Sequence, residues 1–154
     1  MNVPGSATYQ RVWFITESSA GLGRALAEAV LARGERAVVT DRTPERVRDL
    51  IERYPAQALV LELDVTCQDQ VRTVVQEAIE RFGQIDVLVN VDRFSEGLAR
   101  EVAPLGTQVI TIEPGSSNAH AANEMAGKAE DIIAAAEADS VKSATPDKRS
   151  RRAR

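Results

Sequence analysis

The chain has 154 residues, a formal net charge of −4, 44% hydrophobic residues, 27% charged residues and 4% aromatics. That is the composition of one ordinary folded domain with a core of Ala, Val, Leu and Ile. A single cysteine, Cys67, excludes an intrachain disulfide, no apolar run approaches a membrane span, and residues 1–11 hold no apolar signal region, so the expectation is a cytoplasmic protein.

Residues 1–10 form a loose lead-in around Pro4 and Gly5. The apolar run Val12 to Ile15 reads as a buried strand. A polar turn with two glycines follows, Thr16 to Gly23. Leu22, Ala25, Leu26, Ala29 and Val30 then repeat with the period of a helix that buries one face, and Gly34 sits where its C-terminal cap belongs. Strand, glycine-bearing turn and helix together form a cradle for a pyrophosphate. The helix start offers unpaired N–H groups and a favourable dipole, and glycine permits close approach.

Ala37 to Thr40 reads as a second strand ending at Asp41. Thr43-Pro44-Glu45 is a helix start with a hydroxyl cap, and Val47, Leu50, Ile51 and Tyr54 give the apolar face up to Pro55. Ala58 to Leu63 is a third strand ending at Asp64. Thr66 is expected to cap the next helix with Asp69 as its partner, which puts Cys67 in the first turn. Val71, Val74, Val75, Ala78, Ile79 and Phe82 form the stripe of that helix, and Gly83 closes it. Ile85 to Val89 is a fourth strand ending at Asn90.

A helix follows from Phe94 to Ala103, then a turn at Pro104 to Gly106, and a fifth strand at Val109 to Ile112 that ends in Glu113-Pro114-Gly115. A last helix is expected from Ala121 to Ala138, with Met125, Ala129, Ile132, Ile133 and Ala136 on one face. The domain so defined spans 11–138. Residues 139–154 are expected to be a disordered basic tail. From Ala138 onward six basic residues face two acidic ones, a net +4 against −8 in the rest of the chain. The tail has no aromatic or amphipathic feature, so nucleic-acid binding is not expected, and weak binding through it is kept only as an alternative. Strands alternating with amphipathic helices predict an α/β fold: a Rossmann-like, doubly wound parallel sheet of about five strands in the order 3-2-1-4-5, with Val109–Ile112 paired directly to Ile85–Val89.

The turn resembles the Thr-Gly-x-x-x-Gly-x-Gly fingerprint of the short-chain dehydrogenase/reductase family: Thr16, Gly21 and Gly23 match, and Glu17 stands where the first glycine would be. Asp64-Val65 resembles the adenine-contacting Asp-Val pair of that family, and Asn90 matches the first residue of its Asn-Asn-Ala-Gly element, which is broken here by Val91, Asp92 and Arg93. Residues 94–127 resemble a later part of the same family, from the back of its catalytic helix through the next strand and its Pro-Gly end. The resemblance therefore covers two blocks, 10–90 and 94–127. It implies NAD(P)-dependent oxidoreductase ancestry and cofactor contacts from Thr16, Ser18, Gly21, Leu22, Gly23, Asp41, Arg42, Asp64, Val65 and Asn90. Asp41 in the ribose position implies NAD rather than NADP. Arg42 softens that preference, and Ala20, where NADP-preferring relatives often carry a basic residue, strengthens it.

The family reaction uses a serine and a Tyr-x-x-x-Lys pair. The only tyrosines here are Tyr9 and Tyr54, and the residues four after them are Trp13 and Ala58. Without a positioned proton donor the reaction loses a contribution of about 10²- to 10⁴-fold. The reading is therefore an internally truncated, inactive relative that binds a dinucleotide weakly, with Glu17 obstructing the pyrophosphate. Ser95, Ser116, Ser117 and His120 lie near the expected rim without an evident catalytic partner, and no metal ligand set is seen. The alternative is a non-enzymatic module that pairs with itself or with a full-length relative.

Overall fold

The computed structural model describes residues 10–91, 96–112 and 122–144, with side chains of the last segment described from 124 to 138. Its centre is the strand β1, Val12–Ile15, whose four side chains are all fully buried. A strand of uninterrupted apolar residues suits a parallel sheet covered on both faces. β1 pairs on one side with β2, Arg36–Asp41, and on the other with β4, Val87–Asn90. β3, Ala58–Glu62, extends the sheet beyond β2, and β5, Gln108–Thr111, pairs with β4. All pairings are parallel and the order is 3-2-1-4-5, as expected from the sequence. The fifth strand thus lies directly beside the fourth.

Alternation in β1 divides the core. Trp13 and Ile15 face Leu26, Val30 and Leu31 of helix α1, Gly21–Ala32, together with Ala129, Ile133 and Ala136 of α5, Ala122–Ala144. Val12 and Phe14 face Val71, Val74, Ala78 and Phe82 of α3, Gln68–Phe82, and Leu98 and Val102 of α4, Glu96–Val102. Arg11 and Arg33 bind Glu137, and Arg33 also binds Glu130, so two arginines flanking α1 hold α5 in place.

α1 ends as its sequence predicts. Gly34 has φ 85°, its N–H donates to the Leu31 carbonyl, and the Glu35 N–H donates to the Val30 carbonyl, a Schellman motif. Gly83 ends α3 with φ 82°. The expected hydroxyl caps at the other helix starts do not form. The chain after β2 enters a 3₁₀ turn, Pro44–Val47, before α2, Arg48–Arg53, and Thr43 makes no side-chain cap bond. α3 starts at Gln68 with Cys67 as the residue before it, one position outside the helix. In both places an aspartate two residues upstream takes the N–H that a cap would leave open: Asp41 accepts from the Thr43 N–H at 2.9 Å and Asp64 from the Thr66 N–H at 3.0 Å. Such local turns compete with capping.

The last helix runs six residues past the expected end at Ala138, to Ala144, so the first part of the expected disordered tail is helical. The remainder of that tail and the lead-in 1–9 lie outside the described residues, as do Ser95, Ser116, Ser117 and His120. Among the described residues, no helix is long and apolar enough to cross a membrane.

Candidate functional site

Three loops at the carboxyl ends of β1, β2 and β3 enclose a cleft of about 760 Å³. The first loop is fixed from below. Thr16 is buried, its N–H donates to the Val89 carbonyl at 3.2 Å, and its hydroxyl accepts the Val91 N–H at 2.9 Å, so the ends of β1 and β4 are tied together. Ser18 is fully buried. Its N–H donates to the Thr40 carbonyl, and the Ser18 and Thr40 hydroxyls both donate to the Ile15 carbonyl, at 3.1 and 2.9 Å.

Glu17 has φ 49°, the left-handed region, and its side chain is exposed at the cleft wall. It is the single described non-glycine residue with positive φ. For an L side chain this conformation costs roughly 1–2 kcal/mol. Gly23 is required for a different reason: a Cβ there would lie 2.2 Å from the Glu17 carbonyl oxygen and 3.0 Å from that of Thr16. The missing side chain lets the first turn of α1 seat against the loop. Gly21 has φ 60° and opens the helix. The start of α1 has no side-chain cap bond and no acidic residue in its first turn. Its first N–H groups and its positive dipole end are therefore available to an anion.

The second loop contributes Asp41, Arg42, Thr43 and Arg46. Asp41 is 8% exposed, and one carboxylate oxygen, Oδ2, is occupied by the Thr43 N–H. Oδ1 is left as an acceptor. The third loop contributes Leu63, Asp64, Val65 and Thr66. Asp64 Oδ1 accepts from the Thr66 hydroxyl at 2.6 Å and from the Thr66 N–H, and the Asp64 N–H donates to Gln70 Oε1 at 2.7 Å. The Thr66 hydroxyl, then its N–H, and then the charge of Arg42 hold the Asp64 carboxyl below the usual carboxylate range.

Of the ten residues singled out in the sequence, Thr16, Asp41, Arg42, Asp64 and Val65 line this cleft. Gly21 and Gly23 shape the loop and helix start beside it. Ser18 is turned into the protein, and Leu22 packs on the α1 side of the core. Asn90 is 2% exposed, its carbonyl accepts the Ile112 N–H at 2.8 Å, and its Oδ1 has no hydrogen-bond partner among the described residues. Arg46 and Thr66 were not singled out. Arg46 is brought to the wall by the 3₁₀ turn, which the sequence does not distinguish from a longer α-helix. Tyr54, half-buried on the opposite side of α1, lies against Arg53 and takes no part in the cleft. Among the described residues, no group of three His, Cys, Asp or Glu side chains is placed to hold a metal ion.

A nicotinamide dinucleotide fits this arrangement at its adenosine end. The Gly23 cradle and uncapped helix start suit a pyrophosphate, Asp41 Oδ1 suits a ribose hydroxyl, and the Leu63–Val65 wall suits a base.

Comparison with known proteins agrees with the geometry. A family model for short chain dehydrogenase matches residues 11–91. An oxidoreductase of Botryotinia fuckeliana, BOA17, is 42% identical over 81 residues, which is 52% of this chain and 30% of that protein. A short-chain dehydrogenase of Streptomyces avermitilis superposes with a TM-score of 0.51 at 36% identity, covering 64% of this chain and 38% of its own. A short chain dehydrogenase/reductase of Burkholderia phymatum, solved in complex with NAD, superposes with a TM-score of 0.61 at 17% identity, covering 81% and 57%. The matched segment is about a third of the length of such curated relatives. With just over half of its residues in the family match and the five-stranded sheet in the expected order, the chain belongs to the short-chain dehydrogenase family.

Proposed function

We propose that this chain binds a nicotinamide dinucleotide, NAD in preference to NADP, and performs no alcohol or ketone turnover. The observation that carries the reading is the cleft itself: an uncapped α1 start seated by Gly23, with the Asp41 carboxylate at the end of the neighbouring strand. Asp41 Oδ1 accepts a ribose hydroxyl and repels a 2′-phosphate; Ala20 at the wall adds no cation, and Arg42 and Arg46 on the same wall soften the preference without reversing it. Bound NAD supplies a hydride acceptor. What this chain adds is orientation of the adenosine half, and its sequence holds no Tyr-x-x-x-Lys to move the proton that must accompany a hydride. The Burkholderia neighbour, which carries NAD, supports the cofactor class. The lone Cys67 fits a reducing, cytoplasmic setting.

Calorimetric titration with NADH and NADPH, beside an absorbance assay over a panel of alcohols and ketones, tests both halves of the proposal. Heat with NADH and a flat absorbance trace are expected. Steady NADH production would overturn the inactive reading, and silence with both cofactors would overturn the binding reading.

One observation favours a second reading, association with another copy or with a longer relative. β5 lies at the edge of the sheet, and Val109 on it and Leu105 beside it are 40% and 45% exposed. Sedimentation of the chain alone and mixed with a relative distinguishes the two.

A further inference from the structure

The Asp41 carboxylate is held from a distance. Its Oδ2 accepts the Thr43 N–H at 2.9 Å, the Thr43 carbonyl accepts the Arg46 N–H at 3.1 Å, and the Arg46 carbonyl accepts from Arg24 Nη1 at 3.4 Å. The series runs from the cleft through the 3₁₀ turn and back to the first turn of α1, where Arg24 follows Gly23. Arg24 is not one of the described residues that line the cleft. Its guanidinium is engaged beyond it: Nη1 and Nη2 fork onto the two carboxylate oxygens of Asp49 in α2, with Nη1 2.9 Å from Oδ1, and Nε donates to Glu28 Oε1 at 2.9 Å. Ser18 and Thr40 tie the first two loops together where they leave the sheet. Past Asp41 the second loop is held to the core by the fully buried Val47 and Leu50, and to α1 by Arg24.

We propose that Arg24 is a positioning residue: without touching the ligand, it fixes the second loop against the start of α1 and so sets the preference for NADH over NADPH. This rests on the dinucleotide reading of the cleft and names what holds its second loop. A guanidinium suits the task because it is a rigid planar fork, which can take the Asp49 carboxylate and the Arg46 carbonyl from one side chain. A lysine carries the same charge without the fork. With the turn released, the Thr43 N–H no longer presets Asp41, and a bound ribose must immobilise that carboxylate itself. NADH binding therefore weakens. A 2′-phosphate, itself only an acceptor, gains nothing from the Asp41 oxygen, so NADPH binding changes less.

Isothermal titration of the full chain and of Arg24→Lys and Asp49→Ala with NADH and NADPH tests the assignment. Val47 and Leu50 keep the turn on the core in both variants. NADH affinity should fall about fivefold in each, the scale of immobilising one side chain, while NADPH affinity stays within about twofold. A role as a bare charge predicts the reverse. Arg24→Lys would then bind NADH as the unmodified chain does, and Asp49→Ala, which leaves a cation uncompensated, would bind it more tightly. Either result would overturn the inference and leave the dinucleotide reading standing. Amide exchange without ligand gives an independent readout: the Thr43 and Arg46 amides should exchange faster in both variants while the Ser18 amide, bound to the Thr40 carbonyl, does not. Unchanged exchange at Thr43 and Arg46, or an equal rise at all three, would overturn the positioning role. Silence of the unmodified chain with both cofactors would overturn the dinucleotide reading, and the exchange rates would then decide by themselves whether Arg24 fixes the turn.

Discussion

Glu17→Gly separates two burdens that one residue places on the cleft. The first is conformational. Glu17 holds φ 49° in the folded chain, which costs an L side chain roughly 1–2 kcal/mol, and glycine adopts it freely. Glycine also enlarges the unfolded ensemble, which returns about 0.5–1 kcal/mol of that gain. The expected net stabilisation is about 0.5–1 kcal/mol, or a rise in Tm of about 2 °C for a chain of this size. The second burden is electrostatic. Glu17 lines the cleft beside the uncapped start of α1, where the pyrophosphate is expected. A unit charge at about 6 Å in a water-like medium repels each phosphate charge by about 0.7 kcal/mol, so two charges give about 1.4 kcal/mol, close to tenfold in affinity. Glu17→Gln removes the charge and keeps the strained φ. NADH affinity should therefore rise about tenfold in both variants at low salt, and the gain should shrink as salt screens it. The Tm should rise in the glycine variant alone. Titration calorimetry and thermal melts of the three proteins read these effects separately. Equal affinities in all three would show that the carboxylate does not face the ligand's phosphates, and an unchanged Tm would show that the positive φ carries no strain.

Four further outcomes follow, three from the same loops and one from the carboxylates that are held low. Gly23→Ala puts a Cβ 2.2 Å from the Glu17 carbonyl oxygen; it should cost about 1–3 kcal/mol in a urea melt and abolish NADH binding, and wild-type affinity would refute the cradle. Asp41→Asn keeps an acceptor for the Thr43 N–H but removes the charge, so the ratio of NADPH to NADH affinity should rise by about tenfold, leaving Arg42 and Arg46 to meet the extra phosphate; an unchanged ratio would remove Asp41 from the ribose position. Thr66→Val deletes the largest influence on Asp64, so the carboxyl titration of Asp64, followed by carbon NMR, should move up toward the ordinary value, and no movement would refute the assignment. In the unmodified chain Asp64 and Asp49 are both held low, Asp49 by the Arg24 guanidinium. Their contribution to stability is present above the unfolded carboxyl value near pH 3.9 and is lost as the pH falls through their lowered folded values, which a pH series of urea melts would follow.

The sheet was legible because its signal is strong and local. Val12 to Ile15 is apolar at every position, and the strand ends where the apolar run ends. The start of β3 at Ala58 also held, while most other boundaries moved by one or two residues; where strands gained residues, parallel pairing recruited polar ones that no hydropathy pattern marks, Arg36 and Asp41 in β2, Asn90 in β4 and Gln108 in β5. The order 3-2-1-4-5 was legible from connection lengths, since a single short helix between the fourth and fifth strands favours neighbours. The length of α5 was not. Its charged and small residues after Ala138 carry no apolar stripe, yet the helix continues to Ala144. In the cleft the residue types were legible and their directions were not. Ser18 and Asn90 match family positions, but loop geometry turns the Ser18 hydroxyl to the Ile15 carbonyl, and Asn90 is buried beneath the strand ends.

The two misjudged helix caps bear on how the cleft works. Asp-Arg-Thr after β2 and Asp-Val-Thr after β3 are the same local device: the aspartate accepts the N–H of the threonine two residues on, at 2.9 and 3.0 Å. From sequence, loop capping and ligand binding look like competing roles for Asp41 and Asp64. A carboxylate has two oxygens, and in each loop one of them is fixed by the backbone while the other stays an acceptor. The turn therefore sets the direction in which the second oxygen points before any ligand arrives, so binding need not immobilise the side chain, a cost of about 0.5–1.5 kcal/mol for a free rotamer. The same argument explains why Asp41 tolerates being 8% exposed, since one of its oxygens is already bonded. It also places a constraint on any variant of these loops: an aspartate replaced by alanine loses the turn and the ligand contact together, whereas asparagine loses only the charge, and the difference between the two measures how much of the affinity comes from an acceptor held in place.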